Sequence, residues 1–341
     1  MSMTREQAAA AAQSLKTELA KIIVGQEQVI DEILIALAAG GHALLEGVPG
    51  LAKTLLISSL AKSTELSFSR IQFTPDLMPA DITGTEVIRE NRATGDRELA
   101  FLPGPVFAQV ILADEINRTP PKTQAALLEA MQERQVSAGG EIRPLPQPFF
   151  VLATQNPIEQ EGTYTLPEAQ LDRFLLKIMV SYPSEEEELQ VILRTTGAAG
   201  EAISPVLDGN SLLRLQELVR ATPVAESVVR YALALARGTR PEADGGHPEI
   251  TKLLRWGAGP RAGQSLVLCA KARATLTGRA HVGIDDIRDL AKPIMRHRIQ
   301  TSYEADARGF DPDQIVDRLL EVIDVPPAAA EGDPAIAGAL N

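Results

Sequence analysis

The chain has 341 residues, enough for about two domains with sizeable hydrophobic cores. Its 33 Lys and Arg residues against 45 Asp and Glu residues leave a net charge of −12, which disfavours nonspecific attraction to nucleic acid or to an anionic membrane. A local basic patch is still compatible with that total. A single cysteine, Cys269, excludes a disulfide framework within the chain and favours a reducing compartment.

The apolar segments are too short to indicate targeting or membrane insertion. The run 106–113 ends at charges or turns, well short of the roughly 18 apolar residues that a membrane helix needs. The alanines from Ala8 to Ala12 are flanked by charged residues and lack the apolar segment of a signal peptide. We therefore expect a soluble, cytoplasmic protein with no direct membrane insertion.

Short apolar runs alternate with helical patterns up to about residue 182, which is typical of a parallel sheet covered by helices on both faces. Residues 1–183 are therefore predicted to form a doubly wound α/β domain. Its predicted strands are 42–46, 68–74, 106–113, 149–154 and 174–180. Because 106–113 and 149–154 are apolar almost throughout, we expect them in the middle of the sheet.

Two segments interrupt this alternation. Residues 85–101 suggest two strands around the sequence Ala-Thr-Gly-Asp at 93–96, and residues 135–146 contain Gly139-Gly140, a two-residue hairpin signal. We expect both to project from the domain as hairpins. The sequence alone is equally compatible with ordinary loops.

The strand pattern ends at residues 182–184, where Ser184 and Glu187 form a capping box at the start of a helix. We assign 184–204 to a linker. Helical periodicity without convincing strands then predicts a helical second domain over 205–325, with helices at 212–220, 226–237, 261–277 and 284–298. The tail 326–341, rich in Ala, Pro and Gly, is expected to be loose.

The strongest chemical signal is the sequence Gly-Val-Pro-Gly-Leu-Ala-Lys-Thr at 47–54, which follows an apolar strand and opens a helical run. A phosphate chain needs converging backbone N–H groups, a cation and a hydroxyl for magnesium, and the glycine turn, Lys53 and Thr54 offer these at a helix N-terminus. Ala52 stands where the generic motif has glycine, so its backbone must be one that alanine can adopt. The alternative is a plain glycine turn between strand and helix.

Two carboxylates follow the buried strand 106–113. Asp114 would hold Mg²⁺ through water, and Glu115 would act as the general base for the attacking water. Since adjacent side chains on a strand point to opposite faces, both can serve only if the strand breaks at its exit from the sheet. Without the glycine turn, two acids at a strand end would need no function.

Asn156 follows the strand 149–154 and could orient the lytic water and contact the γ-phosphate. Asn-Pro is also an ordinary turn initiator.

Three arginines are candidate phosphate ligands. Arg261 lies in a first helical turn, where a cation opposes the helix dipole and so indicates a nearby anion; Arg173 precedes the last strand, and Arg118 follows Glu115. Arg173 could instead pair with a neighbouring acid, and Arg118 could be a helix-entry residue.

Two features of the second domain are given structural interpretations. Arg288, Lys292 and Arg296 have helical spacing and nearby aspartates, which is typical of a solvated helix face. Trp256 is expected to pack near the helix that carries Arg261.

The motifs agree in order and spacing with a known family. They are Val-Gly-Gln at 24–26, the glycine-rich turn 47–54, Leu-Ala-Asp-Glu-Ile-Asn-Arg at 112–118, Ala-Thr-Gln-Asn-Pro at 153–157, Leu-Asp-Arg-Phe at 171–174 and Gly-Pro-Arg at 259–261. Together they resemble an AAA+ ATPase, and more narrowly the MoxR family, in which alanine before the lysine is usual. The resemblance covers about residues 20–300.

The resemblance implies a five-stranded sheet in the order 5-1-4-3-2, a helical lid and a ring, expected to be a hexamer, with ATP and Mg²⁺ bound between subunits. It implies that Asn156 is the first sensor, Arg261 the lid sensor and Arg173 the finger offered to the neighbour's ATP, with Arg118 as a second candidate for that trans role. Nucleotide contacts are implied for Val24, Gly25, Gln26, Gly47, Val48, Pro49, Gly50, Leu51, Ala52, Lys53, Thr54 and Leu55, and metal contacts for Thr54 and Asp114.

The resemblance also implies a chaperone-like function, in which hydrolysis remodels, matures or activates a client protein, together with a von Willebrand factor A domain protein in many relatives. The two hairpins match family insertions that face the pore or the client. An AAA+ DNA motor or loader is an alternative, although the negative charge and the 4% aromatic content disfavour it. A nucleotide-gated scaffold without turnover is another, which the presence of Glu115 disfavours.

Overall fold

The computed structural model describes residues 3–48, 50–90, 97–157, 162–197 and 201–326. Its strands are β1 (Ala43–Gly47), β2 (Phe68–Gln72), β3 (Gly84–Glu90), β4 (Arg97–Pro103), β5 (Val110–Asp114), β6 (Gln135–Ala138), β7 (Glu141–Pro144), β8 (Phe150–Gln155), β9 (Leu176–Val180), β10 (Leu254–Trp256) and β11 (Gln300–Thr301).

The α-helices are α1 (Arg5–Ala20), α2 (Glu27–Ala39), α3 (Lys53–Ser63), α4 (Pro79–Thr83), α5 (Pro121–Glu133), α6 (Glu168–Leu171), α7 (Glu185–Thr196), α8 (Gly209–Ala221), α9 (Glu226–Gly238), α10 (Pro248–Thr251), α11 (Pro260–Leu276), α12 (Ile284–Met295), α13 (Tyr303–Ala307) and α14 (Pro312–Val322). Short 3₁₀ helices cover Pro105–Phe107, Ile116–Arg118 and Glu242–Asp244. Within the described ranges, no helix combines the length and the apolar character needed to cross a bilayer.

Five parallel strands form the main sheet in the order β2-β5-β8-β1-β9, which confirms the expected 5-1-4-3-2 arrangement when the strands are counted along the chain. The central strand is β8, with β5 and β1 on either side. The third strand begins at Val110 rather than at the predicted residue 106, because Pro105–Phe107 forms a 3₁₀ helix in front of it. Proline has no backbone N–H to donate to a strand ladder.

Alternating side chains of the sheet enter two hydrophobic clusters. Ile111 and Ala113 pack on the face covered by α5, with Leu127 and Leu128, whereas Val110 and Leu112 belong to the cluster on the opposite face. All four strand residues are fully buried. The sheet is thus covered on both faces, as its apolar central strands predict.

Two antiparallel hairpins extend from this domain. β3 pairs with β4, and the predicted turn 93–96 lies outside the described residues. β6 pairs with β7 through Gly139 and Gly140, both at positive φ, as a two-residue hairpin requires. The hairpins touch each other, since the Arg143 guanidinium lies 3.9 Å from the centre of the Phe101 ring.

The second part of the chain is mainly helical and packs directly on the first. Residues from α2, α11 and α12, such as Ile33, Leu266 and Ile294, belong to one continuous hydrophobic cluster. This part is not free of strands, because β10 pairs with β11. These strands are three and two residues long, too short to produce a period-two pattern in the sequence. The tail predicted at 326–341 lies outside the described residues except for Pro326.

Two structural interpretations of this part were wrong. Trp256 is 67% exposed instead of packed. The stripe on α12 is an interface instead of a solvated face: Arg296 donates to both carboxylate oxygens of Asp313 at 2.8 Å, and Lys292 pairs with Asp317. Both acids lie on α14, so the local spacing of α12 could not reveal them.

Candidate active site

The glycine-rich turn connects the buried strand β1 to α3 and therefore lies at the carboxyl edge of the sheet. Gly50 has a φ of +86° and Ala52 a φ of +54°, and α3 begins at the next residue, Lys53. Pro49 lies outside the described residues. The turn places the first turn of α3, with its free backbone N–H groups, at that edge.

Lys53 folds back over the turn that precedes it. Its Nζ donates to the carbonyl oxygens of Gly47 at 2.6 Å and of Val48 at 3.2 Å. Burial lowers the pKa of Lys53, and the carboxylates of Asp114 and Glu115 act in the opposite direction. The acceptors it now uses are neutral carbonyls, and a phosphate oxygen would be a stronger one.

The two carboxylates satisfy the condition that the strand must break between them. Asp114 is the last residue of β5, and Glu115 has a left-handed backbone with φ +56° and ψ +50°. On the adjacent strand, the Thr154 hydroxyl donates to Oδ1 of Asp114 at 2.7 Å and accepts from the Glu115 N–H at 2.9 Å. One threonine thus holds both consecutive acids at the carboxyl edge.

These segments converge on one cavity of about 430 Å³. It is lined by residues 50–55 from the glycine-rich turn and α3, by Asp114 and Glu115, and by residues 154–156 at the end of β8. Asn156 among them is 5% exposed. The volume lies within the roughly 300–1,000 Å³ typical of small-molecule sites. Ammonium, hydroxyl, amide and carboxylate groups therefore share one cleft.

The segment 24–26 lies against the same loop. Gly25 and Gln26 both have positive φ, and Gln26 Nε2 donates to the Leu51 carbonyl at 3.3 Å. A side chain at Gly25 would collide with Glu187 at the start of α7. The positive φ favours glycine at position 25, and a side chain there would require the Glu187 carboxylate to move.

The three candidate arginines do not lie together. Arg118 donates to Oε2 of Glu115, which lines the cavity, at 3.0 Å. Arg173 and Arg261 instead line a separate cavity of about 250 Å³ with His42 and Leu175, which directly precede β1 and β9. This second cavity, which we call the arginine cavity, is at the amino edge of the sheet. A five-residue strand of about 16 Å separates the two edges.

Family models match both parts of the chain. The model described as "ATPase family associated with various cellular activities (AAA)" covers residues 42–176, and an AAA lid domain model covers residues 250–319. Chaperone MoxR1 of Mycobacterium tuberculosis is 45% identical over 309 residues, spanning 91% of this chain and 81% of the relative. The chain belongs to the MoxR family of AAA+ ATPases.

Further similarities to this MoxR-family protein agree with that assignment. Protein MoxR of Paracoccus denitrificans is 33% identical over 325 residues, spanning 90% of this chain and 94% of the relative. The crystal structure of a candidate ATPase from Cytophaga hutchinsonii superposes with a TM-score of 0.87 at 42% identity, covering 95% of this chain and 97% of the other. The α/β AAA+ fold with a helical lid is thereby confirmed.

Sequence reasoning missed three side chains that hold the carboxylates of this MoxR-family site. Arg70 Nη2 donates to Oδ2 of Asp114 at 2.6 Å, and Gln72 Nε2 donates to Oε2 of Glu115 at 2.9 Å. Both lie on β2, two residues apart and so on one face. Together with the strand order, that spacing could have indicated them. Thr154, the third, lies within the motif at 153–157, but nothing in that motif indicates that its hydroxyl binds both acids.

Arg298 is a fourth residue that the sequence did not reveal. Its side chain is 2% exposed and donates to Oδ1 of Asp172 at 2.8 Å, while the second carboxylate oxygen lies 3.8 Å from Nε of Arg261. It also donates to the Phe174 carbonyl at 2.7 Å. Burial lowers the pKa of Arg298, opposed by Asp172. The lid is thus anchored beside Arg173 by a buried guanidinium.

Proposed function

We propose that this MoxR-family protein hydrolyses ATP with Mg²⁺ in a ring of identical subunits and couples hydrolysis to remodelling of a client protein. The observation that carries the proposal is the shared cavity, which combines a helix N-terminus, the Lys53 ammonium and two carboxylates. These are the groups that bind and cleave a triphosphate.

The donor set of the cavity fits both ligands. Lys53 can exchange its carbonyl acceptors for phosphate oxygens, and the first turn of α3 offers backbone N–H groups. The Thr54 hydroxyl and the Asp114 carboxylate are oxygen ligands, which Mg²⁺ prefers over nitrogen or sulfur. Bound Mg²⁺ would neutralise charge on the phosphates. The contacts assigned to residues 24–26 and 47–55 belong to this proposal.

Glu115 is the proposed general base. Its carboxylate takes a proton from the attacking water as the water oxygen bonds to the γ-phosphorus, and the bond to the bridging oxygen breaks to release ADP and phosphate. Gln72 and Arg118 hold Oε2 of that carboxylate, which fixes its direction. The Asn156 side chain lines the same cavity and would orient the water.

Arg173 and Arg261 would act on the ATP of a neighbouring subunit. Both lie at the amino edge, about 16 Å from the loop that holds Lys53 in the same chain, a distance that a side chain cannot cross. Head-to-tail contact between the amino edge of one subunit and the carboxyl edge of the next joins the groups, and repetition closes a ring. The hexamer remains a prediction.

The test uses two inactive variants that complement each other. Glu115→Gln and Arg173→Ala should each lower kcat by about 10³-fold or more. Mixed subunits should recover part of the activity, because some interfaces then combine an intact Glu115 with a neighbour's intact Arg173. Arg230→Ala, at an exposed ion pair on α9, is the control and should retain full activity. A mixture that stays inactive contradicts action in trans.

Client remodelling is the less direct part of the proposal. Its support is the family, which includes a protein named a chaperone, and the apolar side chains that the hairpins expose. Ile88 and Leu99 on one hairpin are each 70% exposed and Ile142 on the other is 66% exposed. Glu115→Gln with ATP should capture the client, and Ile88→Ser with Leu99→Ser should release it. A von Willebrand factor A domain partner, a cytoplasmic location and the absence of nucleic-acid binding remain predictions.

A further inference from the structure

The helix α7 exposes an apolar stripe to solvent. Leu189, Ile192 and Leu193 are spaced i, i+3, i+4, so they share one face, and they are 54, 52 and 58% exposed. Glu185 and Glu186 precede them on the same face, and α7 has no buried residue. Three adjacent exposed aliphatic side chains on one helix face are typical of a docking surface.

A groove in the lid has the complementary character. It has a volume of about 650 Å³ and lies between α9 and α11, with an apolar floor that includes Val229, Leu233 and Val267. Its rim carries three cations, Arg220, Arg240 and Lys271. We call it the lid groove. Its floor is open to solvent, since Leu233 is 47% exposed.

In the described part of the chain, the charged groups of both surfaces have no partner of opposite charge; Arg240 and Lys271 donate only to the backbone carbonyls of Ala258 and Arg220. Among the described residues, no carboxylate pairs with Arg220, Arg240 or Lys271, and no cation pairs with Glu185 or Glu186. This contrasts with the rest of the lid, where ion pairs such as Arg273 with Asp289 are frequent. An acidic and apolar helix therefore matches a basic and apolar groove in both respects.

The positions of the lid groove and of α7 indicate whether the groove faces α7 of the same subunit or of a neighbouring one. The lid groove shares Gln264 and Leu268 with the arginine cavity at the amino edge. The first turn of α7 lies against Gly25, beside the nucleotide cavity at the carboxyl edge. If the amino edge of one subunit faces the carboxyl edge of the next, as the proposed function requires, the lid groove faces the neighbour's α7.

We propose that α7 of one subunit docks into the lid groove of the adjacent subunit. Leu189, Ile192 and Leu193 fill the apolar floor, and the glutamates of the first turn lie near the basic rim. The contact is head-to-tail, so the same pair of surfaces recurs at every interface around a ring. It also joins the lid of one subunit to the segment that covers Gly25 in the next.

Cross-linking between two differently tagged chains tests the docking directly. One chain carries Ile192→Cys and the other Leu233→Cys; the native Cys269 is fully buried and does not interfere. Mixed with ATP and oxidised, they should give a disulfide-linked heterodimer at a yield about tenfold above that of Ile192→Cys with Tyr303→Cys. Tyr303, 90% exposed elsewhere on the lid, provides the matched control. A yield equal to the control overturns the proposal.

A single chain with both cysteines distinguishes the occupants. It should form a ladder of covalent oligomers, whereas an intramolecular disulfide in the monomer would show that α7 fills its own groove and would overturn the proposal. This readout does not depend on hydrolysis. If the wild-type protein has no ATPase activity but the double-cysteine chain forms the ladder, the proposed function alone is contradicted. If the wild-type protein is active and the double-cysteine chain gives no cross-links, the docking alone is contradicted.

Charge reversal supplies an independent test. Glu186→Lys and Lys271→Glu should each weaken self-association about tenfold, and the two together in one chain should restore it, since every interface again joins opposite charges. Sedimentation velocity with ATP measures the change. Arg230→Glu, outside the groove on α9, should leave association unaltered. Failure of the double variant to recover would contradict docking by opposite charges.

Discussion

Thr154 and Asp114 are joined across two neighbouring strands by a hydrogen bond of 2.7 Å between the threonine hydroxyl and the buried carboxylate. The same hydroxyl accepts the Glu115 N–H, so one side chain determines both the direction of Asp114 and the point at which the chain leaves the sheet. The arrangement of the two acids therefore depends on a residue of a different strand.

Replacement of Thr154 by valine should separate hydrogen bonding from shape. Thr154→Val keeps the volume but removes the partner of the Asp114 Oδ1 and of the Glu115 N–H, which should lower the free energy of unfolding by about 1–3 kcal/mol and reduce kcat. Thr154→Ser retains the hydroxyl and should remain close to wild type. Urea denaturation and steady-state ATPase assays measure the two effects. A valine variant with wild-type kcat would show that the clamp has no part in catalysis.

Removal of Arg70 should lower the Mg²⁺ concentration needed for half-saturation. Its guanidinium binds Oδ2 of Asp114 and adds a positive charge beside the proposed cation site. Because the arginine is half exposed, the effect of Arg70→Ala should be small, with the half-saturating Mg²⁺ concentration falling by up to about fivefold. A Mg²⁺ titration of nucleotide binding tests this, with Arg230→Ala as control. A higher Mg²⁺ requirement would instead indicate that Arg70 supports the site.

Ala52 should tolerate glycine better than a branched residue. Its φ of +54° lies in the left-handed region, which is unfavourable for residues with a Cβ by about 1–2 kcal/mol. Ala52→Gly relieves this strain but gains flexibility in the unfolded chain, so its unfolding free energy should lie within about 1 kcal/mol of wild type. Ala52→Val should lose at least about 2 kcal/mol. Thermal and urea unfolding compare the variants; equal stabilities would argue against the left-handed backbone.

Two buried histidines should make the fold sensitive to mild acid. His42 accepts from the Val151 N–H and contacts the Met131 carbonyl, and burial lowers its pKa from 6.5 to about 4. Burial, followed by the nearby Arg298, also lowers the pKa of His297 well below its ordinary value. Between pH 6.5 and about 4 the unfolded chain therefore binds more protons, and stability falls as the pH falls.

The expected loss from His42 alone is about 3 kcal/mol at the acid end of that window, or about 1.4 kcal/mol per pH unit. Urea unfolding at about pH 7.5, 6.5, 5.5 and 4.5 measures the slope. His42→Gln should reduce the slope by the contribution of His42, whatever the substitution does to the free energy of unfolding at neutral pH. An unchanged slope would mean that His42 titrates normally in the folded protein.

The sequence was sufficient wherever the determining interactions are local. The glycine-rich turn before Lys53 and the acids after the apolar run at β5 indicated a phosphate site, because a strand, a turn and a helix N-terminus are encoded by consecutive residues. The capping box of Ser184 and Glu187 and the turn at Gly139-Gly140 were also predicted from the sequence, and both are present. The family resemblance followed from the spacing of such local motifs.

Only the tertiary structure decided which of these groups meet. It separated Arg173 and Arg261 from Lys53 by the length of a strand, and it paired Arg298 with Asp172 although they are 126 positions apart in the sequence. It also turned the stripe containing Arg296 from a solvated face into an interface. Such contacts join residues far apart in the chain, and no periodicity of either segment records them, because periodicity reports which side of an element is buried but not what lies against it.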